Sequence, residues 1–300
     1  MQAVRIHETG GPEVLSVEDV DTPEPGAAEV LVRVHAASVN PVDWKYQRGY
    51  VETELPIAPG RDVAGTVETS RVDAFAEGDA VLANVPGGGY AEYAVASAQA
   101  TALKPDVLTW EQAAALPVTG MTAWQALFDR GGLEAGQTAL IAGAAGGVGH
   151  LAVQFAKVAG ARVIGIGSSR NRDYVQSLGA DQFVDYTEQD VAETVRDVDV
   201  ALDTVGGDTT EQLVGTVREG GVLVTIANAP PEESARACGV RAELLVMSPD
   251  AEQLARIARL VADGEVKLEI AEVLPFSDVK RAHELSESGH VRGKLVLTLP

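Results

Sequence analysis

The sequence predicts an α/β chain in two parts: a largely antiparallel barrel domain, then a doubly wound domain with six parallel strands. Three observations carry this. Residues 1–118 hold short strand-like runs cut by breakers such as Pro23, Pro25 and Gly26. From residue 138 onward, apolar runs of strand length alternate with runs of helix length, as in a parallel sheet with crossover helices. Between the first of these strands and its helix stands TALIAGAAGGVG (residues 138–149), a strand that feeds a tight glycine turn.

In the first part, residues 3–6, 15–18 and 29–35 read as strands, the last by its alternation of Val30, Val32 and Val34. The polar and aromatic stretch 39–52 reads as a loop followed by a helical turn, in which Asp43 is a turn or cap residue. Segments 55–69, 78–85 and 89–96 complete the barrel. Two helices over 110–129, divided by Pro117 and Gly120, mark the crossing between domains. The six parallel strands are expected at 138–142, 162–166, 182–185, 198–203, 222–226 and 242–247. Helices are expected over 150–159, 172–178, 210–217 and 251–262. The tail adds a strand near 268–274, a helix over 279–286 and a strand over 294–299. The domains are therefore 1–118, completed by 266–300, and 119–265.

A hydrophobic fraction of 46% is ample for a core, and no apolar run reaches the roughly 18 residues of a membrane span. The opening MQAVRIHETGG lacks the charged-then-apolar build of a signal peptide, so a cytoplasmic location is expected. Cys238 is the single cysteine, which excludes an intrachain disulfide and a multi-cysteine metal site; without a neighbouring histidine it reads as inert. The net charge of −21 argues against nucleic acid or an anionic membrane as partner.

A strand, a glycine turn and a helix N-terminus together form an anion site, because backbone N–H groups and the helix dipole favour a phosphate. Here the pattern is Ala144-x-Gly146-x-x-Gly149, with alanine in the first slot of the dinucleotide fingerprint. A glycine turn by itself also serves to let a helix pack on a strand; the βα units that follow favour the dinucleotide reading. Gly146, Gly147, Val148 and Gly149 are then the residues at the pyrophosphate. After the second strand, where an NAD site wants a carboxylate, the chain has Ser168, Ser169, Arg170, Asn171 and Arg172. Ser168, Ser169, Arg170 and Arg172 suit a 2′-phosphate, so NADPH is the expected cofactor.

Ordered motifs run the length of the chain: NPVDWK (40–45), PGRDVAGTV (59–67), GDAV (78–81), GYAEYAV (89–95), AALP (114–117), GMTAW (120–124), AAGGVGHLAVQFAK (144–157), LGAD (178–181) and RGKLVL (292–297). On these the chain resembles the zinc-independent quinone oxidoreductase branch of the medium-chain dehydrogenase/reductase superfamily. The resemblance implies a GroES-like catalytic domain, completed by the returning C-terminus, and an inserted Rossmann domain, with the active site where they meet. It implies that Asn40, Lys45 and Tyr46 face the nicotinamide as catalytic groups. It also implies that Lys45, Thr122, Tyr186, Ile226, Ala227, Gly293 and Lys294 contact the cofactor. Two roles stay open for Lys45, the only lysine of the first hundred residues: stabilising negative charge on the acceptor oxygen, or holding the nicotinamide side of the cofactor.

The zinc-dependent alcohol dehydrogenases have a cysteine where this chain has Asn40, and Gly-His-Glu where it has Gly60-Arg61-Asp62; they also carry a four-cysteine lobe that this chain lacks. The five histidines, at 7, 35, 150, 283 and 290, show no metal-ligand spacing and read mostly as surface or capping residues, so no metal is expected. The resemblance thus implies an NADPH-dependent, metal-free oxidoreductase that passes hydride to a small electrophile, a quinone or an α,β-unsaturated carbonyl compound. Two alternatives share the scaffold: an enoyl-thioester reductase, which wants a basic entrance, and a low-turnover NADPH-binding structural or sensing protein. Family members join two sheet edges, so a homodimer through the sixth strand is also expected.

Overall fold

A computed structural model describes residues 1–300. It divides into two compact units: Met1–Val118 with Pro249–Asp263 and Glu269–Pro300, and Thr119–Ser248 with Gly264–Leu268.

The first unit opens with an antiparallel pair, β1 (Gln2–Ile6) and β2 (Leu15–Asp19). Then follow β3 (Glu29–Val39), α1 (Pro41–Gln47), β4 (Asp62–Ser70), β5 (Ala80–Asn84), β6 (Tyr93–Ser97), β7 (Thr101–Leu103) and α2 (Trp110–Ala114). β3 is the spine: β4 and β6 both pair with it antiparallel. Val30, Val32 and Val34 point into the core as their alternation predicts. At the crossing, Pro117 opens α3 (Pro117–Trp124) instead of ending a helix, since its missing N–H costs nothing in a first turn. Gly120 lies inside α3, which continues as a π-helical turn over Gln125–Arg130.

The second unit contains β8 (Thr138–Ala142), α4 (Gly149–Val158), β9 (Arg162–Gly167), α5 (Arg172–Ser177), β10 (Gln182–Asp185), α6 (Val191–Thr194), β11 (Val198–Asp203), α7 (Asp208–Val214), β12 (Val217–Thr225), α8 (Glu232–Ala237) and β13 (Arg241–Leu244). All six strands are parallel, in the order β10-β9-β8-β11-β12-β13. Leu140, Ile164, Val184, Ala201 and Leu223 share one core. The inner strands, covered on both faces, read as continuous apolar runs, which is why the sequence places them closely. The strand order reverses between β8 and β11, the crevice where open α/β sheets take ligands.

The helix α9 (Ala251–Ala262) is capped by Asp250, whose carboxylate accepts the Glu252 and Gln253 N–H groups. It buries Leu254, Ile257, Ala258 and Val261, one helical stripe, and packs on β7 of the first unit. β14 (Ile270–Pro275), α10 (Val279–Glu287) and β15 (Lys294–Thr298) then return to the first sheet, whose order is β14-β15-β3-β4-β5-β7. β15 lies antiparallel to β3 with Leu295 opposite Val39, while Ser38 of β3 faces Asp62 of β4. That register sets Lys294, Asn40 and Asp62 side by side, although the sequence separates them widely.

Candidate functional site

In the second unit the residues expected at a dinucleotide gather at the C-terminal edge of the parallel sheet. The glycine turn follows β8, Ser168 to Arg172 follow β9, Tyr186 follows β10, and Ile226 and Ala227 follow β12. The Gly146 N–H closes the turn on the Gly143 carbonyl at 2.9 Å, whereas the N–H groups of Gly147 and Val148 make no such bond. Gly149 is demanded by packing: a Cβ there would overlap the Gly143 carbonyl. The turn therefore seats α4 tightly on β8 and leaves two amides at its N-terminus for an anion, so the residues present fit a dinucleotide pyrophosphate.

Beside it, Ser169 and Arg170 are exposed, and the Arg172 guanidinium stacks 4.8 Å from the centre of the Phe183 ring. One carboxylate does stand near. Asp185, at the end of β10, is fully buried; its Oδ1 accepts the Thr187 N–H and hydroxyl, and these bonds together with Arg172 hold its carboxyl below the usual range. Tyr186 is largely exposed and Thr122 is buried on α3. The Ile226 N–H donates to the Asp203 carbonyl and the Ala227 N–H to the Thr225 hydroxyl, so those two amides are already used.

The sequence reading missed Asp203 at the crevice itself. Its Oδ1 accepts the Val205 and Gly206 N–H groups at 2.8 and 3.0 Å, and its Oδ2 takes the Thr210 hydroxyl at 2.5 Å. Asn228 Oδ1 accepts from the Gly207 N–H at 3.0 Å, which ties the loops after β11 and β12 together. A TVGG sequence directly after an apolar strand was the available signal.

The first unit holds a buried polar network. Asn40 is 1% exposed; its Nδ2 donates to Asp62 Oδ2 at 2.8 Å, and its Oδ1 accepts from Lys294 Nζ at 2.6 Å. Lys294, 3% exposed, also donates to the Val39 carbonyl. Asp62 takes the Ser38 hydroxyl and the Val118 N–H besides. Asp43 caps α1 by accepting the Asn40 N–H and also takes the Tyr90 hydroxyl, both at 2.8 Å. Burial pushes both carboxyls up, Asp43 to about 6, and pushes the Lys294 ammonium down.

These contacts bear on three of the expected site residues. Both ends of the Asn40 amide are engaged inside the fold. The Lys294 ammonium points into the network. Gly293 answers to packing, since a Cβ there would overlap the Glu269 carbonyl at a backbone φ of +72°.

Tyr46 and Arg61 line a recess of about 240 Å³ in the same unit. The Arg61 guanidinium lies 5.1 Å from the Tyr46 ring centre, and its Nη2 donates to the phenol oxygen at 3.0 Å. The Arg61 carbonyl is pinned by Asn84 Nδ2 and the Val85 N–H. Lys45 is half-buried and is absent from this lining; it sits two residues after Asp43 on α1, which turns it from the face that Asp43 and Tyr46 share.

Two of the five histidines, His150 and His283, are interior. His283 Nδ1 pairs with Gln47 Oε1 at 2.6 Å, while its buried Nε2 has no partner. Burial holds this imidazole down at about 4, against a smaller opposing pull from Glu287. Its contribution to stability is therefore full above the ordinary 6.5 and is lost as pH falls through about 4. Comparing the protein with His283→Gln by urea unfolding at about pH 7 and pH 4 is expected to show a difference of about 3 kcal/mol in how much stability each loses. Asp43, pushed the other way, cancels from that comparison. Equal losses would contradict the assignment.

No group of three or more His, Cys, Asp or Glu side chains is disposed to hold a metal ion. Arg61 brings a cation to the place where a ligand would stand, and Asp62 is committed to Asn40, Ser38 and Val118. The residues present do not fit a zinc ion.

Residues 26–106 match the family model "Alcohol dehydrogenase GroES-like domain", and residues 178–297 match "Zinc-binding dehydrogenase". The chain is 36% identical to a chloroplast envelope quinone oxidoreductase homolog of Arabidopsis thaliana, over 96% of this chain and 95% of that protein. The chain belongs to the quinone oxidoreductase branch of the medium-chain dehydrogenase/reductase superfamily. The quinone oxidoreductase of Coxiella burnetii superposes with a TM-score of 0.95 at 36% identity, covering 100% and 99% of the two chains. Similarity also extends to an NADPH-dependent alkenal/one oxidoreductase, chloroplastic, of Arabidopsis thaliana: 35% identity over 99% of this chain and 79% of that protein. As in the branch as a whole, this quinone oxidoreductase family member pairs a GroES-like domain with a Rossmann-type domain that suits a nicotinamide cofactor. No helix is long and apolar enough to cross a membrane.

Proposed function

We propose that this protein is an NADPH-dependent, metal-free reductase of quinones and α,β-unsaturated carbonyl compounds. The observation that carries the reading is the C-terminal edge of the parallel sheet, where a glycine turn with free amides stands next to a Ser-Ser-Arg-Asn-Arg loop. Gly147 and Val148 would hold the pyrophosphate, and Ser168, Ser169, Arg170 and Arg172 the 2′-phosphate, with Tyr186 beside it. When bound, the reduced nicotinamide supplies the hydride. The chain supplies orientation and charge stabilisation, and no step calls for a metal. The names of its relatives, a quinone oxidoreductase homolog and an alkenal/one oxidoreductase, support both acceptor classes. Acceptor-dependent oxidation of NADPH, with a benzoquinone and with a short enone, is expected to proceed at the same rate before and after chelation. Loss of activity on chelation, with zinc bound stoichiometrically, would overturn the metal-free mechanism.

Lys45 belongs to this reading in one of its two open roles, stabilising charge on the acceptor oxygen or holding the cofactor. Lys45→Met keeps the length of the side chain and removes its charge. It is expected to lower kcat with an enone by about tenfold or more, with little change in NADPH affinity measured by fluorescence. A fall in NADPH affinity with kcat recovering at saturation would make Lys45 a cofactor clamp instead.

A further inference from the structure

The recess of the first unit contains a pairing that the buried network does not use. Arg61 carries five N–H donors, and one of them is committed, to the Tyr46 phenol oxygen. No carboxylate lies within ion-pair distance of its guanidinium; the ion pairs of the chain lie elsewhere. Because the Tyr46 oxygen accepts from Arg61, the phenol hydrogen remains to be donated elsewhere. Two donors of different kinds, a guanidinium and a phenol, thus sit at one recess large enough for a single ring. Stacking on the Tyr46 ring and the anchoring of the Arg61 backbone by Asn84 and Val85 fix the pair in place.

The other charged groups of the lining show what kind of oxygen this pair serves. Asp43 is buried and already bound to Asn40, Gly60 and Tyr90, while Glu54 is exposed on the rim. An exposed carboxylate on the rim, in a chain of net charge −21, slows the approach of an anionic acceptor from solvent without removing the pair's preference for a charged oxygen once bound. A neutral acceptor whose oxygen gains charge only as it reacts meets no such penalty.

We propose that Arg61 and Tyr46 form the oxyanion-binding pair for the carbonyl oxygen of a neutral acceptor. This rests on the reductase reading above. The acceptor takes a hydride at its β-carbon, the nicotinamide being oxidised. The carbon–carbon π pair moves to form the new double bond at the carbonyl carbon, and the carbonyl π pair moves onto oxygen. The resulting enolate oxygen accepts the Arg61 N–H and the Tyr46 O–H, and one proton from solvent completes the two-electron reduction.

The test uses Arg61→Met, Arg61→Lys and Tyr46→Phe in the full chain, with two readouts. In turnover of a short neutral enone, Arg61→Met is expected to lower kcat by about 100- to 1000-fold, with NADPH affinity and thermal midpoint unchanged. Arg61→Lys should recover part of that loss, and Tyr46→Phe should lose less than Arg61→Met. In binding without cofactor, 4-nitrophenolate is expected to outcompete neutral nitrobenzene by at least about tenfold in the unmodified protein, and that preference should vanish in Arg61→Met. If the unmodified protein reduces the enone while Arg61→Met matches it in kcat, the oxyanion pair is refuted and the reductase reading stands. If no acceptor is reduced but the phenolate preference depends on Arg61, the reductase reading fails and the oxyanion site stands. Equal binding of phenolate and nitrobenzene by the unmodified protein refutes the site.

Discussion

Replacing Lys294 with methionine is expected to lower the unfolding free energy by about 3–5 kcal/mol, the cost of stripping one partner from a buried charged network. The magnitude follows from the surroundings. Lys294 Nζ is the donor to both the Val39 carbonyl and Asn40 Oδ1, and Asn40 in turn holds Asp62. Without the ammonium, the fully buried Asp62 and Asp43 lose the cation that opposes the rise of their carboxyl pKa values. Methionine fills similar space, so cavity formation contributes little and the electrostatic loss dominates. Urea unfolding near neutral pH measures it. A loss below about 1 kcal/mol, the range of an exposed ion pair, would show that the network carries no such weight.

The double replacement of Arg170 and Arg172 by alanine is expected to remove a preference for NADPH over NADH of about 100-fold or more. Each charge-assisted contact to a phosphate contributes roughly 1.5–3 kcal/mol, and NADH has no 2′-phosphate to receive it. The loop after β9 offers no carboxylate, and Asp185 nearby is buried and engages Thr187 through Oδ1. Binding titrations with both cofactors separate the outcomes: NADPH affinity should fall while NADH affinity stays level. Equal affinities in the unmodified protein would contradict the assignment of this loop to a 2′-phosphate.

How far the sequence speaks depends on where a residue's partners lie. The inner parallel strands and the turn at Gly149 were legible because a strand buried on both faces is an apolar run and a tight βα turn needs glycine locally. Helix α9 was legible to its ends, from Asp250 and the spacing of Leu254, Ile257 and Val261; its home on β7 was not, since an amphipathic face does not name its partner. The buried network was hidden for a similar reason. Lys294 and Asn40 are 254 residues apart, and only the antiparallel register of β15 on β3 brings them together. Arg61 looked like a lost metal ligand, and its stacking on Tyr46 depends on how α1 lies against the turn before β4. The inward turn of His283 is likewise set by α10 packing on α1.

The step proposed for this protein is hydride transfer from NADPH to the electrophilic carbon of a quinone or an enone. Incubating the protein with NADPH deuterated at the transferable position and a short enone, then locating the label in the product by mass spectrometry and NMR, tests it most directly. One deuterium at the former β-carbon, with the α-hydrogen drawn from solvent, is the result expected here. A reduced product without label, or no reduction of the enone or of a quinone while NADPH is bound, would contradict it.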